Sequence, residues 1–261
     1  MSIRRIFGVM LRYFYSFTHN LDKWIDTFYW PFFDIIVWGI TISAIQKTNA
    51  SGQIPIAMII SGIILWYVIV RSYSEISISI LEEFWNENLI NFLATPLKLS
   101  EWITALLLTS ISRLAITFIF TSIVASLFYA TNILYLQWHL IPMIISLMMV
   151  GWSAALFVAS LIFRYGTRLQ SLAWAGIILL MPFSATFFPL NVLPIWAQKI
   201  ATLIPSSYVF ETMRSLLFNH TIEWKLILKS LAINIIYFSL AIYCFYRSFK
   251  KAKEKGISHL K

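Results

Sequence analysis

The chain has 261 residues, of which 59% are hydrophobic and only 12% charged, with a mean hydropathy of +0.77. A soluble domain carries roughly 25% charged residues, so this composition excludes an ordinary water-soluble globular protein and places the chain in a lipid bilayer. The net charge of +9 then reads as basic residues marking the cytoplasmic side, not as a nucleic-acid surface, and nucleic acid is not an expected partner.

Residues 1–20 form the first predicted element, an amphipathic helix. At about 100° per residue, Ile3, Ile6, Phe7, Met10, Leu11 and Phe14 cover one arc, and Arg5 and Arg12 lie opposite. Such a helix is expected to lie in the membrane interface with its arginines at anionic headgroups. No isolated apolar run ending at a cleavage site follows the positive charge, so the segment does not read as a signal peptide. A helical span requires roughly 20 apolar residues. Six runs qualify, at about 28–46, 54–80, 103–129, 139–163, 169–187 and 224–246.

Between the second and third runs, residues 82–96 are a polar interruption. It holds Glu82, Glu83 and Glu87, with an apolar stripe at Leu81, Trp85, Leu89, Phe92 and Leu93. The stripe has the spacing of one helix face, which predicts an amphipathic helix that needs something to touch. The turn between the fourth and fifth runs is short and basic, with Arg164 and Arg168. Other Lys and Arg residues crowd the N-terminus and the tail, while the loops after the first and third runs hold only Lys47. Six spans put all the basic segments on one side, so both termini are expected in the cytoplasm. The stretch 188–218 is apolar but divided by Pro189, Pro194 and Pro205 into pieces too short to cross. Irregular backbone at membrane depth survives only where protein or a cavity shields it. This predicts a pair of short re-entrant helices, the second pairing Glu211 with Arg214 at i,i+3. The expected fold is therefore an all-α polytopic membrane protein filling one domain, residues 1–261.

No phosphate-binding loop, HExxH, nucleophile elbow or dinucleotide-binding glycine pattern occurs. Cys244 stands alone and the four histidines are scattered, so neither a catalytic set nor a metal site is expected. Ionisable residues within spans are candidates by default. Arg71 and Glu75 have the spacing of an intrahelical pair, with Arg71 snorkelling to the interface. Arg113 lies too deep in the third run to be unpaired and is expected to reach a carboxylate such as Glu75 or Glu82, with direct substrate contact as the alternative.

Two stretches carry a family resemblance: NLINFLATPLKLSEW at Asn88–Trp102, and FPLNVLPIWAQKIATLIPSSYVFETMR at Phe188–Arg214. Together with the N-terminal amphipathic helix and the six runs, they make the chain resemble the transmembrane permease subunit of an ABC exporter of the second type. That family includes drug, polysaccharide and lipid exporters. The resemblance implies that the helix around Glu82–Ala94 is a coupling helix seated on a separate ATPase subunit, with Glu82, Glu83, Trp85, Glu87, Leu89 and Phe92 as contact residues. It makes Arg164 and Arg168 a second, smaller contact, and Glu211 and Arg214 part of an outer gate. The working unit would be two permeases, as a homodimer or pseudo-dimer, with two ATPases in the inner membrane. No cofactor would bind this chain, ATP and Mg being held by the partner, so the chain would not itself be an enzyme. The cargo would be a drug-like amphiphile, a lipid or a lipid-linked saccharide. Asn88 stands where a glycine is usual before the Leu-x-x-Leu run. The alternative is a stand-alone secondary transporter or channel. Those usually break or charge their spans at midplane in an internal repeat, whereas here the charges cluster at the ends of the runs.

Overall fold

The fold is that of a computed structural model, which describes residues 1–48, 56–219 and 221–255. Among these residues every regular element is helical: α1 (Ile3–Thr18), α2 (Leu21–Trp24), α3 (Trp30–Thr48), α4 (Ile56–Trp85), α5 (Leu89–Ala94), α6 (Leu99–Tyr129), α7 (Leu140–Tyr165), α8 (Gln170–Ala175), α9 (Ile195–Ala201), α10 (Pro205–Asn219) and α11 (Trp224–Lys255). A π-helical turn, Ile25–Tyr29, joins α2 to α3, and 3₁₀ segments run over Ile133–His139, Gly166–Leu169, Gly176–Phe183 and Leu190–Val192. Five helical stretches are long and apolar enough to cross a membrane: Leu21–Lys47, Ile56–Trp85, Leu99–Tyr129, Ile133–Phe183 and Trp224–Glu254. The chain is a multi-pass membrane protein.

A helix that is apolar on every side belongs inside a bundle, and α4 is nearly so from Ile56 to Val70. Nearly every residue from Met58 to Leu81 is buried, with α6 and α7 packed along it and α11 packed on the far side of α7. At Gly151 of α7 an added Cβ would lie 2.6 Å from the carbonyl oxygen of Ile69, so the two backbones meet with no room for a side chain. By contrast α3 and α11 turn apolar residues such as Ile40, Leu228 and Ile236 outward, as helices facing lipid do. The first two residues of the expected second run, 54 and 55, lie outside the described residues.

Two elements depart from the sequence expectation. The run 169–187 is not one α-helix. After α7 the chain reverses at Gly166 (φ 72°), forms only six residues of α-helix, and continues as the 3₁₀ segment Gly176–Phe183 with Pro182 inside it. Proline removes a backbone donor and clashes with the carbonyl four residues back, which disfavours α-helix through this run. The leg still runs beside α4 in the opposite direction, from Trp85 to Gly62. Gln170 meets Trp85 (3.3 Å), Leu172 and Ala173 accept from Tyr73 and Ser77, and Thr186 abuts Gly62.

The second departure is the amphipathic helix expected over 82–96, which is two pieces. Helix α4 runs on to Trp85 and ends at Glu87, which has φ 52°. There the Asn88 amide donates to the Glu83 carbonyl (3.0 Å) and the Glu87 amide to that of Phe84 (3.1 Å). That is a Schellman ending, with glutamate in the left-handed position glycine normally takes. Helix α5 follows as a separate short element, stopped before Pro96.

Helix α1 is amphipathic in its packing. Ile3, Phe7, Leu11 and Phe14 are exposed, while Ile6, Tyr13 and Phe17 are buried, with α1 packed on α6. Its arginines also bond within the chain: Arg5 donates to the Pro96 carbonyl (2.6 Å) and Arg12 to Glu83 (2.6 Å). The proline-divided stretch forms two short helices, α9 and α10, whose junction lies beside Ser230 and Tyr237 of α11.

Candidate functional site

Five of the six ion pairs among the described residues lie at or just below the pole where α4 ends and α6 begins. Glu83, in the last turn of α4, has a side chain only 1% exposed. A buried carboxylate needs its lone pairs filled, and Glu83 fills them across three elements. Its Oε1 accepts from Arg12 (2.6 Å) and from the Tyr13 hydroxyl (2.9 Å), and its Oε2 accepts from Asn88 Nδ2 (2.8 Å). The Tyr13 oxygen accepts in turn from Trp102 Nε1 (3.0 Å). Burial, reinforced by the Glu83 charge, pushes the Tyr13 hydroxyl well above its ordinary pKa, so it stays a donor. Burial works against the Arg12 charge, but the hydrogen bond and charge of Glu83 outweigh it and raise its pKa. Beside this hub, Lys23 reaches Glu82 (2.7 Å), and Glu101 in the first turn of α6 accepts from the backbone amides of Ser2 (2.7 Å) and Lys98 (3.0 Å).

One layer deeper lie two further ion pairs. Arg113 of α6 pairs with Glu75 of α4 and donates to Thr27 Oγ1 (2.9 Å). Arg71 does not pair with Glu75 as their spacing suggests. Glu75 is taken by Arg113, and Arg71, 1% exposed, donates to both the carboxylate (2.5 Å) and the backbone carbonyl (2.7 Å) of Asp26. Asp26 lies in the π-helical turn, a geometry often found at functional positions. Between α2, the end of α4 and α8 these pairs line a cavity of about 610 Å³ that also includes Trp30, Trp85 and Trp174.

The residues expected to contact a partner separate into three groups. Glu82, Glu83 and Leu89 (2% exposed) are used inside the chain, the first two in the ion pairs above. Trp85, 46% exposed, stacks on Trp174 and donates to Gln170 Oε1 (3.3 Å). Glu87, Arg164 and Arg168 are exposed, with Arg164 over the ring of Tyr165. The side chain of Phe92 lies outside the described residues. Through Trp85 and Gln170, the end of α4 and the Gly166–Leu169 turn share this pole.

Glu211 and Arg214 sit apart, on α10. They pair at 3.0 Å and together hold the loop after the 3₁₀ leg. Arg214 donates to the carbonyls of Ala185 and Phe188, and Glu211 accepts from the Leu190 amide (2.7 Å). The sequence reading did not pick out Arg12, Tyr13, Lys23 or Asp26 as site residues. The available signal was that charges at the ends of apolar runs need partners of opposite sign, and Arg12, Lys23 and Asp26 stood unassigned in the first 26 residues.

Neither the protein-family models nor the curated proteins compared with this chain give a match.

Proposed function

We propose that this chain is the membrane-spanning subunit of an ATP-driven exporter of the ABC type, working as a dimer with two copies of a separate ATPase. The observation that supports it best is the construction of the α5 pole. Helix α4 runs unbroken from its buried middle to Trp85, and α5 is tied to its end through Asn88 and Glu83. Beyond that tie the surface is exposed and polar at Asn86, Glu87, Asn91 and Thr95, with the Arg164–Arg168 turn alongside. A short element rigidly fixed to a long buried helix is suited to turning a push at the surface into rigid-body movement of the bundle. In this reading α1 lies on the cytoplasmic bilayer surface with Ile3, Phe7, Leu11 and Phe14 in the lipid. The leg 170–186 is a sixth crossing, both termini are cytoplasmic, and α9 and α10 dip from the outer face as a gate held by Glu211 and Arg214. The ATPase supplies ATP and Mg. The cargo class is an amphiphile, lipid or lipid-linked saccharide, and the membrane is the bacterial inner membrane.

The test is affinity purification of the full chain from its native membrane, followed by identification of any bound ATPase and assay of its hydrolysis. The reading expects a copurifying ATPase whose rate rises in complex. Trp85→Asp is expected to lower that stimulation at least fivefold while the chain remains folded. Purification without any ATP-hydrolysing partner overturns the reading.

A further inference from the structure

The cavity of about 610 Å³ between α2, the end of α4 and α8 is within the size range of small-molecule sites, and its charges are layered. Asp22, Asp26, Glu75 and Glu82 line it against Lys23, Arg71 and Arg113, an excess of one negative charge. In both ion pairs that reach its surface the carboxylate is the outer member. The side chain of Asp26 is 36% exposed and that of its partner Arg71 1%, while Glu82 is 24% exposed against 12% for Lys23. Arg113 and Glu75 are both almost completely buried.

The basic groups are also consumed inward. Arg71 gives both terminal nitrogens to Asp26, Arg113 gives its own to Glu75 and Thr27, and Lys23 donates to Glu82 and to Ser16 Oγ (2.9 Å). The Nε atoms of both arginines are buried, out of a ligand's reach. The carboxylates keep accessible acceptors. Among the described residues, Asp26 and Glu82 each accept on one carboxylate oxygen only, and the exposed Asp22 carboxylate enters no hydrogen bond or ion pair. A ligand entering the cavity therefore meets carboxylate oxygens before guanidinium hydrogens.

The remaining wall is aromatic. Trp30, Trp85 and Trp174 line the cavity and are each about half exposed, and Trp85 is held by stacking on Trp174 and by its bond to Gln170. An indole face attracts a cation more strongly than the other aromatic side chains do. A metal ion does not suit this lining, because no three His, Cys, Asp or Glu groups among the described residues stand close enough to hold one. A diffuse positive charge with apolar substituents does suit it, since it needs no close ring of oxygens and can lose water against the indoles.

We infer that the cavity binds an amphiphilic organic cation, an ammonium group carrying alkyl or aryl substituents. Its charge lies between the outer carboxylates and the indoles, and its apolar part lies along Ile25 and Ile78, which also line the cavity. The inference rests on this lining and does not depend on the exporter reading.

The experiment uses the full chain, without any ATPase, in dodecyl maltoside, a neutral detergent with no ammonium group. Binding of tritiated benzyltriethylammonium is measured by scintillation proximity. Saturable binding is expected, displaced by benzyltrimethylammonium at a concentration at least tenfold lower than by benzyl alcohol or benzenesulfonate. Asp22→Asn changes one exposed carboxylate and is expected to weaken binding about threefold. Trp174→Leu is expected to weaken it by roughly three- to tenfold, and Trp174→Phe, which keeps an aromatic face, by clearly less. Absence of saturable binding overturns the inference, as does displacement by benzenesulfonate or benzyl alcohol as readily as by the cation. Wild-type affinity in Trp174→Leu also overturns it; should that variant not fold, wild-type affinity in Asp22→Asn does so. Lysophosphatidylcholine and dodecyltrimethylammonium, compared as competitors, distinguish the source. Equal displacement marks the headgroup of a choline lipid, and displacement by dodecyltrimethylammonium alone marks a free cation.

Discussion

Arg113 shows how far a single charge can determine contacts in this chain. It lies roughly 21 Å along α6 at 1.5 Å per residue, and both it and Glu75 are almost completely buried. Removing one partner of such a pair leaves an uncompensated charge, which typically destabilises by about 3–5 kcal/mol, whereas replacing both by apolar residues of similar volume is often neutral. Arg113→Gln is therefore expected to lower the thermal midpoint in detergent steeply, and Arg113→Met with Glu75→Met to recover most of the loss. A single variant as stable as wild type would show that the pair carries no such burden. Glu83 is built differently. Its partner Arg12 is 45% exposed, so solvent screens that bond, and its weight lies in joining α1, α4 and Asn88 at one point.

At the scale of elements, the break between α4 and α5 is the feature with the clearest physical signature. Glu87 holds a left-handed conformation that disfavours any residue with a Cβ, in a motif that prefers glycine at that position. Glu87→Gly is expected to stabilise the chain by up to about 1 kcal/mol, read as a small rise in thermal midpoint. A fall would mean that the Glu87 side chain matters more than its backbone strain. This break was only half legible in the sequence, because the apolar stripe from Leu81 to Leu93 keeps helical spacing across it. Periodicity records which residues face inward and not whether the backbone between them is continuous. The proline-divided stretch was easier, since Pro194 and Pro205 precede or open α9 and α10 directly. The 3₁₀ leg was hidden because an apolar run with one proline has the same composition in either helix type. Ion pairing divided along the same line. The need of Arg113 for a carboxylate followed from its depth, while the choice of Asp26 by Arg71 depended on a tertiary contact that sequence spacing could not reveal.

For the molecule as a whole, the contacts among the described residues sort the helix ends onto two poles. Ser2 meets Glu101 at the start of α6, and Trp102 meets Phe245 and Phe249 near the end of α11. Phe163, at the end of α7, packs on the same Phe245 and Phe249. The N-terminus, α5, the Gly166 turn and the last turns of α11 thus share one pole. At the other, Trp138 stacks on Trp224, bringing the Ile133–His139 segment to the start of α11. The basic residues are divided unequally between them. Arg4, Arg5, Arg12, Lys23, Lys98, Arg164, Arg168, Arg247, Lys250, Lys251 and Lys253 belong to the first pole, against Lys47, Lys199, Arg214, Lys225 and Lys229 at or near the second. Short loops rich in Lys and Arg stay in the cytoplasm, so the first pole is expected inside and the second outside. In a Cys244→Ser background, Arg164→Cys and Lys253→Cys are expected to react with a membrane-impermeant maleimide only after permeabilisation. Leu134→Cys and Tyr135→Cys, both exposed positions, are expected to react in intact cells. Labelling of Arg164→Cys and Lys253→Cys from opposite sides would mean that the leg 170–186 does not complete a crossing, and with it the six-crossing arrangement would fall.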